Sequence, residues 1–518
     1  MEFGILSLIP PIIMLVLVLL TRQVLLSLGA GIVVGAFMLN SFDIVPSFNE
    51  IWKSFSQIFY VEGDLQLGSI QLLSFLILLG ITTAFMTASG GSSAFGEWAI
   101  QRIRTRKGAQ TMPGILGLII FIDDYFNSLA VGQVARPLTD RYKVSRAKLA
   151  YIIDSTSAPI TVVSPISSWG AYIIGLIGTI IAAQEITGYG ELEAFLRMIP
   201  MNFYVFGSIF LVFLTIYRKF DIGAMRKHEE KAQNTGELVD PSKEVPGDLN
   251  NEFKATQGGK IYHLIIPILV LIVATVTTMF ITGIQGTPAE EEVSILSIFA
   301  NTNVNRSLFF GGLFAALSGL VLYMFLQGSK SSTGKVVLEG IKAMLPAIYI
   351  LVLAWMIGTI IGSMGTGEYL ADRVKEANIS PTFLPFMMFI VAGFMAFATG
   401  TSWGTFGIML PIAGEIAATL DVAMFLPSLA AVLAGSVFGD HCSPISDTTI
   451  LSSTGAGSNH IDHVMTQLPY ALIGALAASV GYVIFGFTTS TILSLVVTLV
   501  IVLVVVLLFQ PKQNSIEK

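Results

Sequence analysis

Long apolar runs set the pattern of this chain. Runs of roughly 17–25 residues recur from end to end, the length that crosses about 30 Å of hydrocarbon as a helix. Leu15–Leu20, Leu264–Phe280 and Ile492–Phe509 are the plainest stretches. A soluble protein hiding as much apolar surface would alternate polar and apolar positions at the helical period. The pattern predicts eleven spans, near 4–21, 24–40, 68–89, 149–185, 198–217, 261–283, 306–326, 343–364, 427–457, 464–487 and 489–509. Two further apolar segments, 112–139 and 381–420, hold polar residues and glycines at their middles.

The placement of Lys and Arg decides what those two segments are. Arg102, Arg104, Arg106 and Lys107 precede the first, and Arg141, Lys143, Arg146 and Lys148 follow it. Positive loops stay in the cytoplasm, so both ends belong on one side and 112–139 reads as a re-entrant hairpin. Irregular backbone at its tip must then be buried in protein or face a wet cavity. The polar stretch 218–260 is rich in Lys and Arg and also belongs inside, which puts the acidic loops 185–193 and 290–292 outside. The N-terminus then faces out and the C-terminus in. With Pro241, Pro246 and Gly247, 218–260 reads as a disordered cytoplasmic linker.

Either side of that linker the same order of elements recurs. The expected organisation is an N-terminal transmembrane repeat over 1–217, with its hairpin at 112–139 and a broken helix at 149–185. The C-terminal repeat covers 261–487, with a hairpin at 381–420 and a broken helix at 427–457; an extra helix and short cytoplasmic tail fill 488–518. The string Ser-Pro-Ile-Ser occurs at Ser164–Ser167 and again at Ser443–Ser446, at the same place in each half. Matching spans run in opposite directions on this topology. The expected fold is therefore all-α and polytopic, with two inverted repeats, two re-entrant hairpins and broken helices, an architecture common among secondary transporters.

Composition agrees with the membrane reading: 12% of residues are charged, against about 25% in soluble proteins. The single cysteine, Cys442, excludes an internal disulfide. Met1–Gln23, with an acidic start, Pro10 and Pro11 and no small-residue cleavage site, reads as a first span and not a cleaved signal. No Walker A string occurs, so nothing points to ATP use.

Charge inside the bilayer is costly, about 2.5–3.5 kcal/mol per acid even on the lenient insertion scale. Asp123, Asp124 and Asp154 in the first half, and Asp440 and Asp447 in the second, fall in membrane-depth segments and are the leading site candidates. Asp154 follows Lys148 by under two turns and also fits an interfacial position; of the adjacent Asp123 and Asp124, one faces the site and the other caps the hairpin. Neutral oxygen ligands surround them: Asn127, Ser157, Ser164 and Ser167, then Thr401, Ser402, Ser443, Ser446 and Thr448. Such hydroxyls commonly bond back to their own helix. Pro159, Pro165 and Pro444 break the helices at these points, and freed carbonyls beside carboxylates suit a hard monovalent cation, while half-helix N-termini suit an anionic group. No transition-metal site is suggested. His441 beside Cys442 is not a ligand spacing, and His460 with His463 reads as a solvated pair in a short polar loop.

Gly439–His463, GDHCSPISDTTILSSTGAGSNHIDH, and Phe121–Ile160, FIDDYFNSLAVGQVARPLTDRYKVSRAKLAYIIDSTSAPI, closely resemble the signatures of the NhaC-type sodium/proton antiporter family. The resemblance covers most of the chain. It implies secondary transport in the bacterial plasma membrane and the ion-transporter fold of two inverted repeats. Some members exchange Na⁺ for H⁺ and others exchange small carboxylates such as malate and lactate; the long central linker departs from shorter members.

Three functions follow as expectations. The first is Na⁺/H⁺ antiport by competition for shared carboxylates, with Na⁺ held at Asp440 and Asp124 and with Asp154 and Asp447 next in line. The second is a Na⁺- or H⁺-coupled carrier of a small carboxylate or amino acid, held by Ser164, Ser167, Ser443 and Ser446. The third, an intramembrane aspartyl protease, fails on its GxGD pattern because position 437 is Val. The expected protein is not an enzyme, binds no cofactor or nucleic acid, and sits in a lipid bilayer; a homodimer is compatible with this reading.

Overall fold

The structure is a computed structural model that describes residues 3–21, 23–121, 123–165, 167–243, 245, 259–289, 293–326, 331–376 and 380–510. The acidic stretch 290–292, most of the linker beyond 243 and the tail 511–518 lie outside the described residues.

Among the described residues ten helices are long and apolar enough to cross a membrane. The first two expected spans are shorter, at Ile9–Thr21 and Val24–Leu39. The last helix, Thr491–Phe509, has a mean hydropathy of 3.5 over its most apolar window. It exposes Leu493, Val496, Val500, Val504 and Leu507, three or four residues apart, which makes one continuous apolar stripe. The protein is a polytopic all-helical membrane protein.

Both helices carrying Ser-Pro-Ile-Ser are interrupted at that string. The first runs Arg146–Val162 and resumes at Ser168–Ala183. The second runs Phe425–Cys442 and resumes at Asp447–Ala456. In each gap a proline has no N–H to donate, and the last serine of the string restarts the helix as its N-cap. Ser167 Oγ accepts from Gly170 N at 2.9 Å, and Ser446 Oγ accepts from Thr449 N at 3.3 Å.

Each half also holds a pair of helices joined by a tight tip. The first is Arg106–Ile119 with Asp124–Arg141, and its two ends meet, Arg106 Nη2 donating to Lys143 O at 3.2 Å. The second is Leu384–Thr399 with Ser402–Leu420. Its turn needs Gly400, whose φ is +71° and whose absent Cβ would collide with Ile445. Each arm of this second pair is long enough to cross a membrane by itself.

The halves meet where helix Asp124–Arg141 crosses helix Asp447–Ala456. A Cβ on Gly132 would strike the backbone of Gly455, so the two backbones touch, as small residues allow between membrane helices. One turn away, Ser128 Oγ and Ser452 Oγ share a hydrogen bond of 3.0 Å.

The linker differs from the disordered segment its composition suggested. Gly223–Thr235 is a helix whose buried face presents Met225, Glu229 and Ala232 to the bundle. Glu229 pairs with Arg106 and accepts from Ser145 N at 2.8 Å. Leu238 O then accepts from Arg146 N at 3.0 Å, and Lys243 Nζ reaches Asp462 Oδ1 at 2.5 Å. The described part of the linker is a strap across the end of the first hairpin, because its buried acid finds two donors there.

Candidate functional site

The hairpin tips and helix breaks bring four aspartates into one interior region. Asp440, 2% exposed, stands in the last turn of Phe425–Cys442. Its Oδ2 accepts from Ser402 Oγ, on the second hairpin, at 2.7 Å; its Oδ1 is buried without a hydrogen-bond partner, and the Ser446 hydroxyl also acts on this carboxylate. Asp124, 1% exposed, opens the second arm of the first hairpin. Its Oδ1 accepts from Trp169 Nε1 at 2.9 Å, and its Oδ2 also lacks a partner. The charged groups that act on Asp124 are Asp123, Asp447 and Asp440. Asp447 bonds Tyr125 Oη and, as the first residue of its helix, accepts from Thr448 N through Oδ1 at 2.9 Å. The ion pairs of Lys and Arg lie elsewhere, as in Arg146–Asp140 at 3.0 Å and Lys148–Asp221 at 2.6 Å.

Asp123 is the capping member of its pair, with Phe126 N donating to Oδ1 at 2.9 Å. Asn127 Nδ2 donates to the carbonyls of Gly117 and Ile120, each at 2.7 Å, closing the break before the hairpin tip. Its own Oδ1 is buried and unpartnered. Three buried oxygens at the first hairpin and second helix break thus await a donor or a cation: Asp124 Oδ2, Asn127 Oδ1 and Asp440 Oδ1. Among the described residues no three His, Cys, Asp or Glu side chains share a metal-sized site.

Asp154 belongs to a different arrangement. It is fully buried in protein. Its Oδ1 accepts from Ser452 Oγ at 3.1 Å; its Oδ2 accepts from Gln467 Nε2 at 2.6 Å, from Thr449 Oγ1 at 3.3 Å and meets His463 Nε2 at 3.1 Å. His441 joins the cluster through Ser155 Oγ at 3.3 Å and Tyr204 Oη at 3.0 Å. His460 Nε2 bonds Pro444 O, in the second helix break, at 2.7 Å. The reading of His460 and His463 as a solvated pair is therefore wrong: they are 2% and 0% exposed, because the helix His460–Thr488 begins inside the bundle. His460, His463 and Gln467 lie three and four residues apart, a polar stripe on a membrane helix that was legible as an inward face.

The remaining candidates divide. Ser157 and Ser164 bond back to Asp154 O at 3.2 Å and Ile160 O at 2.7 Å, so both serve their own helix. Ser167 bridges its break, donating toward Thr161 O and Ser164 O, each at 2.8 Å. Ser443 Oγ donates to Phe397 O of the second hairpin at 2.9 Å, and Ser446 and Thr448 share a bond of 2.8 Å. Thr401 is the N-cap of Ser402–Leu420 without a side-chain cap bond. A cavity of about 380 Å³ reaches Asp447 and Thr401 from the side of the long helix Thr333–Ser363. Tyr172 and Trp403 stack at 4.7 Å, and Trp169, the partner of Asp124, meets Trp403 edge-on at 5.9 Å.

A bundle of membrane-length helices, two of them broken beside buried unpaired carboxylates, defines a secondary active transporter. The model of the Na⁺/H⁺ antiporter family matches residues 160–487, and the chain belongs to that family. A protein of Haemophilus influenzae described as uncharacterized is 48% identical over 487 residues, 93% of this chain and 91% of its own length. The malate-2H⁺/Na⁺-lactate antiporter of Bacillus subtilis is 29% identical over 200 residues, 37% of this chain and 40% of its own. The arginine/ornithine antiporter ArcD of Halobacterium salinarum is 31% identical over 144 residues, 28% of each chain. The protein is a multi-pass membrane antiporter with Na⁺ and H⁺ as its ions.

Proposed function

We propose that the chain exchanges Na⁺ for H⁺ by letting both compete for Asp440 and Asp124. One observation supports this above the others: each carboxylate is fixed through one oxygen while the other is buried without a partner. A buried charged oxygen with nothing bonded to it is strongly unfavourable. A proton on that oxygen removes the charge, and Na⁺ beside it balances the charge; the two ligands exclude one another, which couples their fluxes. Asn127 Oδ1 is the neutral oxygen that completes the ion's surroundings. The exchange takes place in the bacterial plasma membrane, with the N-terminus outside, the linker and C-terminus inside, and the two halves moving against each other as inverted repeats. It involves no covalent chemistry on the solute.

The test is Na⁺-driven collapse of a pH gradient in proteoliposomes, wild type against Asp440→Asn and Asp124→Asn. Both variants should insert and yet run no faster than protein-free vesicles, since an amide holds neither a labile proton nor a charge. Normal exchange in either would remove that residue from the mechanism. A second reading, in which an organic solute is the exchanged partner, is favoured by the names of the two partially matching relatives.

A further inference from the structure

The cavity beside the second hairpin tip is larger than a bare ion needs. At about 380 Å³ it lies in the range of small-molecule sites, roughly 300–1,000 Å³. Trp355 and Thr359 of the long helix form one wall, Thr399 and Thr401 of the hairpin tip another, and Asp447 closes one end. Among the described residues Asp447 is the sole charged one in the lining, with no Lys, Arg or His beside it. Behind it stand further acids, Asp123 and Asp124, each acting electrostatically with Asp447.

The sign of that charge selects the solute. A molecule whose only charge is a carboxylate would enter against acids alone, in surroundings where like charges repel far more strongly than in water. An ammonium group meets the reverse: a carboxylate, three threonines and Trp355, an aromatic side chain of the kind that attracts cations. We infer that this cavity binds a small solute bearing an ammonium group, such as a diamine or a basic amino acid, and rejects carboxylates that lack one. The inference rests on the reading that Asp440 and Asp124 perform the ion exchange nearby, and it names the organic solute admitted beside them.

Gly358 provides a variant that fills the cavity from its wall. A Cβ there approaches only Thr399 O, at 3.9 Å, so Gly358→Leu is accommodated by projecting into the space. The experiment measures uptake of radiolabelled ornithine, putrescine, malate and lactate into proteoliposomes, with Na⁺-driven pH change recorded separately without organic solute. Wild type should take up ornithine or putrescine saturably, at least about tenfold faster than malate or lactate. Gly358→Leu should lose about tenfold of that uptake while keeping Na⁺/H⁺ exchange within about twofold. Faster uptake of malate or lactate overturns the inference, as does uptake of no ammonium solute at all. It is equally overturned if Gly358→Leu leaves ornithine and putrescine uptake unchanged, or stops organic uptake and ion exchange together, which would make the cavity the ion's own entrance. A wild type that takes up ornithine without any Na⁺/H⁺ exchange refutes the carboxylate competition and leaves the solute assignment standing.

Discussion

Asp440 and Asp154 are both buried aspartates, and their surroundings assign them opposite work. Asp440 keeps one oxygen bare, whereas donors reach both oxygens of Asp154 from two other helices. Asp154 therefore fastens the first broken helix to Asp447–Ala456 and His460–Thr488, a different role from the one proposed for Asp440. Replacing Asp154 by Asn turns an acceptor into an amide N–H₂ facing donors, and each buried group so orphaned costs about 1–3 kcal/mol. Asp154→Asn should lower the detergent-solubilised Tm, while Asp440→Asn, which deletes an unpaired buried charge, should leave it equal or raise it. The opposite ranking in a thermal-unfolding assay would undo the division of labour. Ser402→Ala removes a bond of about 0.5–1.5 kcal/mol and should weaken apparent Na⁺ affinity roughly 2- to 10-fold. The aspartates were visible in the sequence because acids stand out in apolar runs. The histidine cluster left only the three- and four-residue spacing of His460, His463 and Gln467 as a signal, because its centre, Asp154, lies some 300 positions from His463.

At the scale of elements, close approach and strapping hold the site together. The Gly132–Gly455 crossing brings the hairpin of one half against the broken helix of the other. Gly455→Ala must push these backbones apart, and overpacking of this kind costs about 1–3 kcal/mol. It should slow exchange several-fold without altering any ligand; unchanged kinetics and Tm would mean the crossing is loose. The strap makes a second prediction. Asp462, between the two buried histidines His460 and His463, is 7% exposed and holds Lys243 at 2.5 Å. Asp462→Asn should therefore loosen the strap, read as faster amide hydrogen exchange over Gly223–Thr235, and equal exchange in both proteins would refute the contact. The breaks and tips were legible because proline, glycine and serine act locally. The strap was misread because charge-rich composition normally signals disorder. Its inward stripe of Met225, Glu229 and Ala232 has helical spacing, but the partners of Glu229, Arg106 and Ser145 N, are more than 80 residues away.

At the scale of the whole molecule, the arrangement of basic residues is what orients the bundle. Arg106 and Lys143, either side of the first hairpin, are in hydrogen-bond contact, so whichever face of the membrane receives one receives the other. The same end gathers the strap and its pairs Lys148–Asp221 and Lys243–Asp462. Positive charge of this density resists translocation, and the proposed topology accordingly places that end in the cytoplasm and Asp64, in the small β-hairpin after the helix Ile44–Ser56, outside. Single cysteines at Arg104, Arg141 and Asp64, all solvent-exposed, test this in a Cys442→Ser background, Cys442 itself being only 5% exposed. An impermeant thiol reagent added to intact cells should label Asp64→Cys alone; inverted vesicles should label Arg104→Cys and Arg141→Cys alone. Reaction of the two arginine sites from opposite faces would turn 112–139 into a crossing and put matching helices of the two halves in the same direction. The inverted repeat would then be lost, and with it the pairing of two opposed helix breaks around Asp440 and Asp124 on which alternating access to one shared ion site depends.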